Sequence, residues 1–322
     1  MAGSPGLRAL AVLGPTAAGK SALGLALAQR WGDAHPGRRA EIVCCDSMQV
    51  YTGMDVGTGK PSAEERARFP HHLLDLVSPD QPYHAARWAE RARQVLAEVN
   101  ARGGLPIIVG GTGLYFRALV RGLFEAPPPD AAIRRRHEEE AAALGVPALH
   151  ARLAQVDPEA ATRILPQDLL RISRALEIYQ QTGVAMTALH RAAPPPLPLE
   201  LVTVILDPSL EALRSAIDVR VDAMMAAGFL AEVQGLRAAG YGAARAIGAL
   251  GYRQLGLHLD GALALADAVA ETKRATAGYA RRQRTWFRKE DAALRVNRLF
   301  RADDASSIDE IAAIVAGRFD LS

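Results

Sequence analysis

Cysteine is nearly absent from this chain: two in 322 residues, and those adjacent, Cys44 and Cys45. Neighbouring residues on a strand point to opposite faces, so the pair is excluded as a metal clamp or redox dithiol and reads as two small buried hydrophobes. Long apolar runs are missing too. None approaches the ~20 residues that span a bilayer, and no basic-then-apolar leader opens the sequence, so a cytoplasmic protein with no membrane partner is expected. Net charge is only +3, too small on its own to indicate nucleic acid. His71-His72 have no third ligand at a useful spacing and read as structural. No internal repeat appears. One local absence points the other way: from Lys273 to Lys289 there is no acidic residue, while Arg274, Arg281, Arg282, Arg284 and Arg288 alternate with Tyr279, Trp286 and Phe287. Such a run is commonly a solvated helix face, but cations mixed with aromatics also suit a phosphate backbone and exposed bases.

What is present is ordinary globular material, 49% apolar and 23% charged, long enough for about two domains. Its most informative stretch is Leu10–Leu27. An apolar run, Leu10 to Leu13, reads as a buried parallel strand; it breaks at Gly14, and helical spacing begins at Ser21. Between them stands Gly14-Pro15-Thr16-Ala17-Ala18-Gly19-Lys20-Ser21, the phosphate-loop pattern in its strand–turn–helix setting. Glycines let successive backbone N–H groups curl around phosphate oxygens, and the helix N-terminus adds partial positive charge. Lys20 would meet an outer phosphate, and the Ser21 hydroxyl would serve Mg²⁺. The expected ligand carries two or more linked phosphates.

The rest of the chain alternates in the manner of an α/β fold. Glu41 to Cys45 reads as a second strand delivering Asp46 to its carboxyl end, where open α/β sheets place their ligand crevice. Ser47–Pro61 is a Gly-rich connection suited to a site loop. His71–Leu76 reads as a short strand, Tyr83–Arg102 as a helix, and Pro106–Val109 as a strand turning through Gly110-Gly111-Thr112-Gly113 into another helix. Pro127-Pro128-Pro129 and Pro194-Pro195-Pro196 with Pro198 then bracket a segment without strand patterns, containing helices at Asp130–Leu144 and Gln167–Thr182. Residues 127–199 are therefore expected to form a small all-helical insertion in a core made of 1–126 and 200–322. After a strand at Leu201–Leu206, everything from Ser209 to about Phe319 reads as helical apart from two Gly-rich passages. The expected class is α/β: a P-loop, nucleotide-kinase-like parallel sheet flanked by helices, with the insertion and a helical C-terminal region.

A phosphate loop with a strand-end acid is the outline of a kinase or NTPase, with Asp46 holding Mg²⁺ and the insertion as a lid. A longer set of motifs shifts the reading. Besides the phosphate loop these are Asp46-Ser47-Met48-Gln49-Val50-Tyr51, Gly53-Met54-Asp55-Val56-Gly57-Thr58 with Lys60-Pro61, and Gly110-Gly111-Thr112-Gly113-Leu114-Tyr115. They continue with Arg171, Arg174-Ala175-Leu176-Glu177, Leu250-Gly251-Tyr252-Arg253 and Arg282-Gln283 with Thr285-Trp286-Phe287. In this order, from about Leu10 to Lys289, they resemble the bacterial tRNA dimethylallyltransferases.

The resemblance implies transfer of a dimethylallyl group from dimethylallyl diphosphate to N6 of the adenosine immediately 3′ of the tRNA anticodon, with diphosphate leaving. The phosphate loop, Gly14 to Ser21, would then bind the donor's diphosphate with Mg²⁺. Asp46 becomes the general base, with Mg²⁺ ligation as its alternative. Thr16 and Thr112 would position the reactants, and Arg220 would reach the diphosphate unless it pairs with Asp218 or Asp222. For tRNA the resemblance points to Asp46, Ser47, Met48 and Gln49; Thr112; Arg134; Gln167, Asp168, Leu169, Leu170 and Arg171; Gly248, Ala249, Leu250, Gly251, Tyr252 and Arg253; and Arg281, Arg282, Gln283, Arg284, Thr285, Trp286, Phe287 and Arg288. The helical insertion would grip the anticodon stem, and a monomer is expected. The chain departs from the pattern at Ala216 and Ala277-Gly278, where the family usually carries basic residues. A non-catalytic RNA-binding protein of this fold is a third reading, disfavoured by the presence of Lys20, Ser21, Asp46 and Thr112.

Overall fold

The computed structural model describes residues 6–124, 126–192, 198–301 and 305–319, and the chain divides into two compact units, residues 1–120 with 198–322, and residues 121–197. The larger unit is built on a six-stranded sheet: β1 (Leu7–Leu13), β2 (Ala40–Cys45), β3 (His71–His72), β4 (Leu105–Gly110), β5 (Leu199–Leu206) and β6 (Leu294–Val296). The order is β3-β2-β4-β1-β5-β6 and every pairing is parallel. All residues of β2 and β4 are buried, as are the last five of β1. Both faces of the sheet are covered, which is why these strands read as unbroken apolar runs rather than alternations.

One face carries Leu10, Val12, Ile42, Ile107, Val109 and Val204, packed with Leu23 and Leu27 of α1 (Lys20–Ala34). The alternate residues Ala9, Ala11, Leu13, Val43 and Ile108 are equally buried. Helix α2 (Ala63–Arg68) follows the loop after β2, and α3 (Ala85–Ala101) precedes β4, with Trp88 fully buried and its indole N–H donating to the Cys44 carbonyl at 3.0 Å. Helix α4 (Gly113–Arg121) leaves β4 through the second glycine turn.

Two expectations for the sheet need correction. His71–Leu76 is a strand only at His71 and His72, because Leu73 (φ 65°) and Asp75 (φ 53°) adopt left-handed conformations that end it. Asp75 is instead drawn to Lys60 and Arg66. The C-terminal region is not wholly helical either: β6 extends the sheet beside β5, a three-residue strand too short to show a pattern of its own.

The smaller unit contains α5 (Ala131–Leu144), α6 (Val146–Val156), α7 (Pro158–Arg163), α8 (Leu169–Thr182) and α9 (Met186–Arg191), and no strand among the described residues. Asp130 caps α5 by accepting from Ala132 and Ile133 N–H, and Asp168 caps α8 through Arg171 N–H. Leu149, Leu153, Ala160, Ile172 and Leu176 form its core. Pro194, Pro195 and Pro196 lie outside the described residues.

The chain then returns through β5 to α10 (Leu210–Ala226), α11 (Phe229–Leu236), α12 (Tyr252–Leu259), α13 (Leu265–Phe287) and α14 (Ala305–Phe319). A satellite core of Met54, Phe229, Val233, Ile247, Tyr252 and Leu255 fixes α11 and α12 against the loop after β2. Among the described residues no helix is long and apolar enough to cross a membrane.

Candidate active site

β2, β4 and β1 are neighbours, so their carboxyl ends bring Asp46, the second glycine turn and the phosphate loop together. The loop's conformation needs its glycines. A Cβ on Gly14 (φ 147°) would lie 2.5 Å from the Leu206 carbonyl oxygen, and one on Gly19 (φ 93°) only 2.1 Å from that of Phe300. Where β4 ends, a Cβ on Gly110 would meet the Cys45 carbonyl at 2.0 Å. The two turns are bound to each other by Gln283 of α13: its Oε1 accepts the Thr16 N–H at 2.9 Å, and its Nε2 donates to the Gly111 carbonyl at 2.8 Å.

Asp46 is held by its own turn, Oδ1 accepting from the N–H groups of Met48 (2.8 Å) and Gln49 (3.3 Å). Thr112 accepts the Ser47 N–H at 3.0 Å, and its hydroxyl lies beside the Tyr279 phenol. Burial, reinforced by Asp46, pushes that phenol up, so Tyr279 is neutral. Lys20 Nζ donates to the Pro15 carbonyl at 2.6 Å. Burial and the charge of Arg220 push the Lys20 ammonium down to about 8, against the opposing pull of Asp46 and Cys45. Burial pushes the two cysteine thiols up, Cys44 to about 12. They are free and neutral, as small core residues are expected to be.

Two adjoining cavities open on these groups. The larger, about 820 Å³, is lined by Lys20, Ser21, Asp46, Gln49, Lys60 and Arg220 among others. The smaller, about 350 Å³, is lined by Ser47, Met48, Gly248, Ala249, Leu250 and Arg282 among others. Thr16, Asp46, Thr58, Arg220, Met224 and Tyr279 belong to both walls. The arrangement offers a cationic compartment suited to a polyphosphate, a second compartment with a more apolar wall, and one carboxylate where they meet.

Arg220 does not pair with its helical neighbours. Asp222 holds Lys273 (2.7 Å), while the Arg220 guanidinium rests 3.5 Å from the Thr58 carbonyl oxygen. Other candidate residues are placed differently from a simple contact surface. Tyr252 is buried, donating its hydroxyl to Glu232 at 2.6 Å, and Phe287 is core. Trp286 packs where a Cβ on Gly113 would lie 2.2 Å from its indole nitrogen, and the Arg117 guanidinium covers its ring at 4.2 Å. Arg284 and Arg288 both bind Asp207. Arg281, Arg282, Thr285, Arg288 and Arg253 are exposed. In the helical unit, Arg134 and Arg174 both bind the fully buried Glu177; burial alone would raise that carboxyl, but the two guanidinium groups and the Asp130 N–H outweigh it and hold it low. Arg171 pairs with Asp168, and Gln167 and Leu170 are exposed.

Sequence reasoning missed three residues here. Tyr279, on both cavity walls, was visible only as one aromatic in a basic run. The Lys60 side chain is 1% exposed and locked to Asp55 (2.7 Å), the Tyr51 carbonyl (2.6 Å) and Asp75, so at the edge of the larger cavity its charge is spent on anchoring the loop. Glu232 carries no motif signal at all. His72 binds Glu41 (2.7 Å) and His71 the Phe69 carbonyl (2.8 Å), and no group of three metal-ligating side chains exists among the described residues.

Residues 49–290 match the family model described as IPP transferase. A tRNA dimethylallyltransferase of Anaeromyxobacter dehalogenans is 50% identical over 285 residues, covering 88% of this chain and 93% of that protein. One from Geobacter metallireducens is 46% identical over 287 residues, covering 88% and 90%. The crystal structure of the full-length tRNA isopentenylpyrophosphate transferase of Bacillus halodurans superposes with a TM-score of 0.69 at 34% identity, covering 98% of this chain and 97% of that one. A eukaryotic dimethylallyltransferase captured acting on tRNA gives 0.75 at 26% identity, covering 97% and 80%. The phosphate loop, the acid at the end of β2 and the second glycine turn thus stand in a chain that belongs to the IPP transferase family, the tRNA dimethylallyltransferases.

Proposed function

We propose that this enzyme transfers the dimethylallyl group of dimethylallyl diphosphate to N6 of the adenosine immediately 3′ of a tRNA anticodon. One observation carries the assignment of roles: Asp46 lies on the shared wall of a cationic cavity and a second compartment. The donor's diphosphate occupies the larger cavity, against the phosphate-loop N–H groups, Lys20 and Arg220. The adenine, extruded from the anticodon-loop stack, enters the smaller one.

N6 attacks C1 of the dimethylallyl group, the C1–O bond breaks, and the bonding pair leaves with diphosphate. The amine is a weak nucleophile because its lone pair is delocalised into the ring. Asp46, oriented by Met48 and Gln49 N–H, accepts its hydrogen bond and takes the proton as the N–C bond forms. Lys20, Arg220 and the N-terminus of α1 stabilise the charge growing on the leaving group. Thr16 and Thr112, on the two turns that Gln283 joins, position the reactants.

Mg²⁺ fits this donor set only as a partner of the diphosphate. Ser21 offers an exposed hydroxyl in the cavity, and no cluster of three carboxylate, histidine or cysteine side chains exists among the described residues to hold an ion alone. Bound there, it would supply further neutralisation of the leaving group. On the RNA side, Arg282 at the smaller cavity and the exposed Arg281 and Arg288 serve the anticodon-loop backbone. The helical unit, with Gln167–Arg171 at the start of α8, grips the stem, and the enzyme works as a cytoplasmic monomer.

The test is a single-turnover incubation of an unmodified adenosine-rich anticodon stem-loop with dimethylallyl diphosphate and Mg²⁺, read by nucleoside mass spectrometry. N6-dimethylallyl adenosine is expected. No product, with ATP hydrolysed in a parallel reaction, would instead assign the site to phosphoryl transfer.

A further inference from the structure

Glu232, on α11, has no cationic partner among the described residues. Its carboxylate accepts three consecutive backbone N–H groups, those of Asp55 (2.9 Å), Val56 (2.6 Å) and Gly57 (3.0 Å), and the Tyr252 hydroxyl (2.6 Å). Successive N–H groups converging on one point form the kind of concavity that elsewhere binds phosphate. Here a side chain of the protein fills it. The turn has no slack: a Cβ on Gly57 would lie 2.1 Å from the Phe229 ring, and Thr58 Oγ1 donates to the Met54 carbonyl at 2.6 Å.

The same short loop turns its next carbonyls toward the cavity. Gln49 Nε2 donates to the carbonyls of Thr58 (3.3 Å) and Gly59 (3.1 Å), and the Arg220 guanidinium lies against Thr58. A Cβ on Gly59 would come within 2.2 Å of that guanidinium. Three N–H groups face Glu232 on one side, and two carbonyls face the ligand-binding side chains on the other.

We propose that Glu232 is a positioning residue for catalysis: by gathering the N–H groups of residues 55–57 it fixes the carbonyls of Thr58 and Gly59, and these set Arg220 and Gln49 in the wall of the cavity. The inference rests on the reading of Arg220 as a diphosphate ligand. Glu232 itself touches no substrate. Asp46 acts on Arg220 only through its charge, and among the described residues no carboxylate is hydrogen-bonded to the guanidinium, so the loop's carbonyl is what keeps it aimed at the phosphates.

Glu232→Gln tests this, because it keeps the shape and one acceptor while turning an N–H₂ toward at least one backbone N–H that can only donate. KM for dimethylallyl diphosphate is expected to rise about tenfold, with the Kd for the stem-loop within about twofold of wild type. Amide hydrogen exchange should accelerate in the peptide covering residues 54–59 and not elsewhere. In a double-mutant cycle with Arg220→Lys the KM effects should be less than multiplicative, since both act on one interaction. Multiplicative effects, or faster exchange with a wild-type KM, would overturn the proposal. Should Glu232→Gln fail to fold by circular dichroism, Glu232→Asp retains the charge but withdraws it, and the same split in KM and Kd is required of it. A wild-type enzyme without turnover would instead defeat the proposed activity, while the exchange measurement would still report whether Glu232 holds the loop.

Discussion

Lys20 and Arg220 line one cavity, and each is bonded to a backbone carbonyl, Pro15 at 2.6 Å and Thr58 at 3.5 Å, rather than to a carboxylate. Two cations held this way repel one another, and an anion bound between them would relieve that repulsion.

The first consequence is a pH dependence. Burial, then Arg220, lowers the Lys20 ammonium to about 8 from 10.5, so between those values the unfolded chain binds a proton that the folded chain does not. The contribution of this group to stability therefore rises with pH across that window and is lost below about 8. Diphosphate binding has the opposite slope, because it needs the charged lysine: affinity should fall by up to ~tenfold per pH unit above the folded value. Calorimetric titration with diphosphate from pH 7 to 9.5 would show this, and Lys20→Met should bind weakly with no such slope.

Removal of the proposed base should separate chemistry from binding. Asp46→Asn retains an oxygen for the Met48 and Gln49 N–H groups, so the turn survives. Single-turnover transfer is expected to fall by ~10²–10⁴-fold, the usual range for a general base, while stem-loop affinity stays within a few-fold. Near-normal transfer by this variant would remove Asp46 from the base role.

The phosphate loop should not tolerate a methyl group at its helix entry. Gly19→Ala combines a positive φ with a Cβ 2.1 Å from a backbone oxygen, and the backbone strain alone is worth ~1–3 kcal/mol. A lowered Tm together with loss of diphosphate binding is expected. Calorimetry on the purified variant reads both.

Neighbouring positions on α13 should behave in unlike ways. Arg282 is exposed at the smaller cavity, so Arg282→Ala should weaken tRNA binding more at low salt than at high and flatten the log–log salt slope by roughly one contact's worth. Gln283 is buried between the two glycine turns; Gln283→Ala should leave that slope unchanged and lower kcat and Tm instead. Equal salt slopes for Arg282→Ala and wild type would return that side chain to a merely solvated face.

Much of this was legible in the sequence because the core strands are buried on both faces and the glycine turns are forced by close approach. β1, β2, β4 and β5 announce themselves as apolar runs, and Gly14, Gly19 and Gly110 sit where a Cβ has no room. Asp130 marks its helix start by capping, whereas the helix expected from Gln167 begins only at Leu169, after the Asp168 cap. What could not be read depends on partners distant in the chain. β6 is a strand only because β5 offers it an edge. Glu232 meets residues 55–57 from at least 175 positions away, and no local pattern encodes a carboxylate aimed at backbone N–H groups. On α13 the run Arg281–Arg288, to which the resemblance points for tRNA, divides by helical rotation, which turns Gln283 and Phe287 inward and Arg282 outward.

The contact between Ala18 and Phe300 bears on how the enzyme is made. The Phe300 N–H donates to the Ala18 carbonyl at 3.1 Å, and its own carbonyl lies where any side chain at position 19 would collide. The phosphate loop is therefore buttressed by a residue translated almost three hundred positions after it. At ~5–20 residues per second that interval is on the order of tens of seconds. During it the ribosome carries a chain with every residue of the loop and, until β5 emerges beside β1, only part of the sheet that shapes it. A nascent chain therefore holds every residue of the loop before it holds the backbone that closes over Gly19.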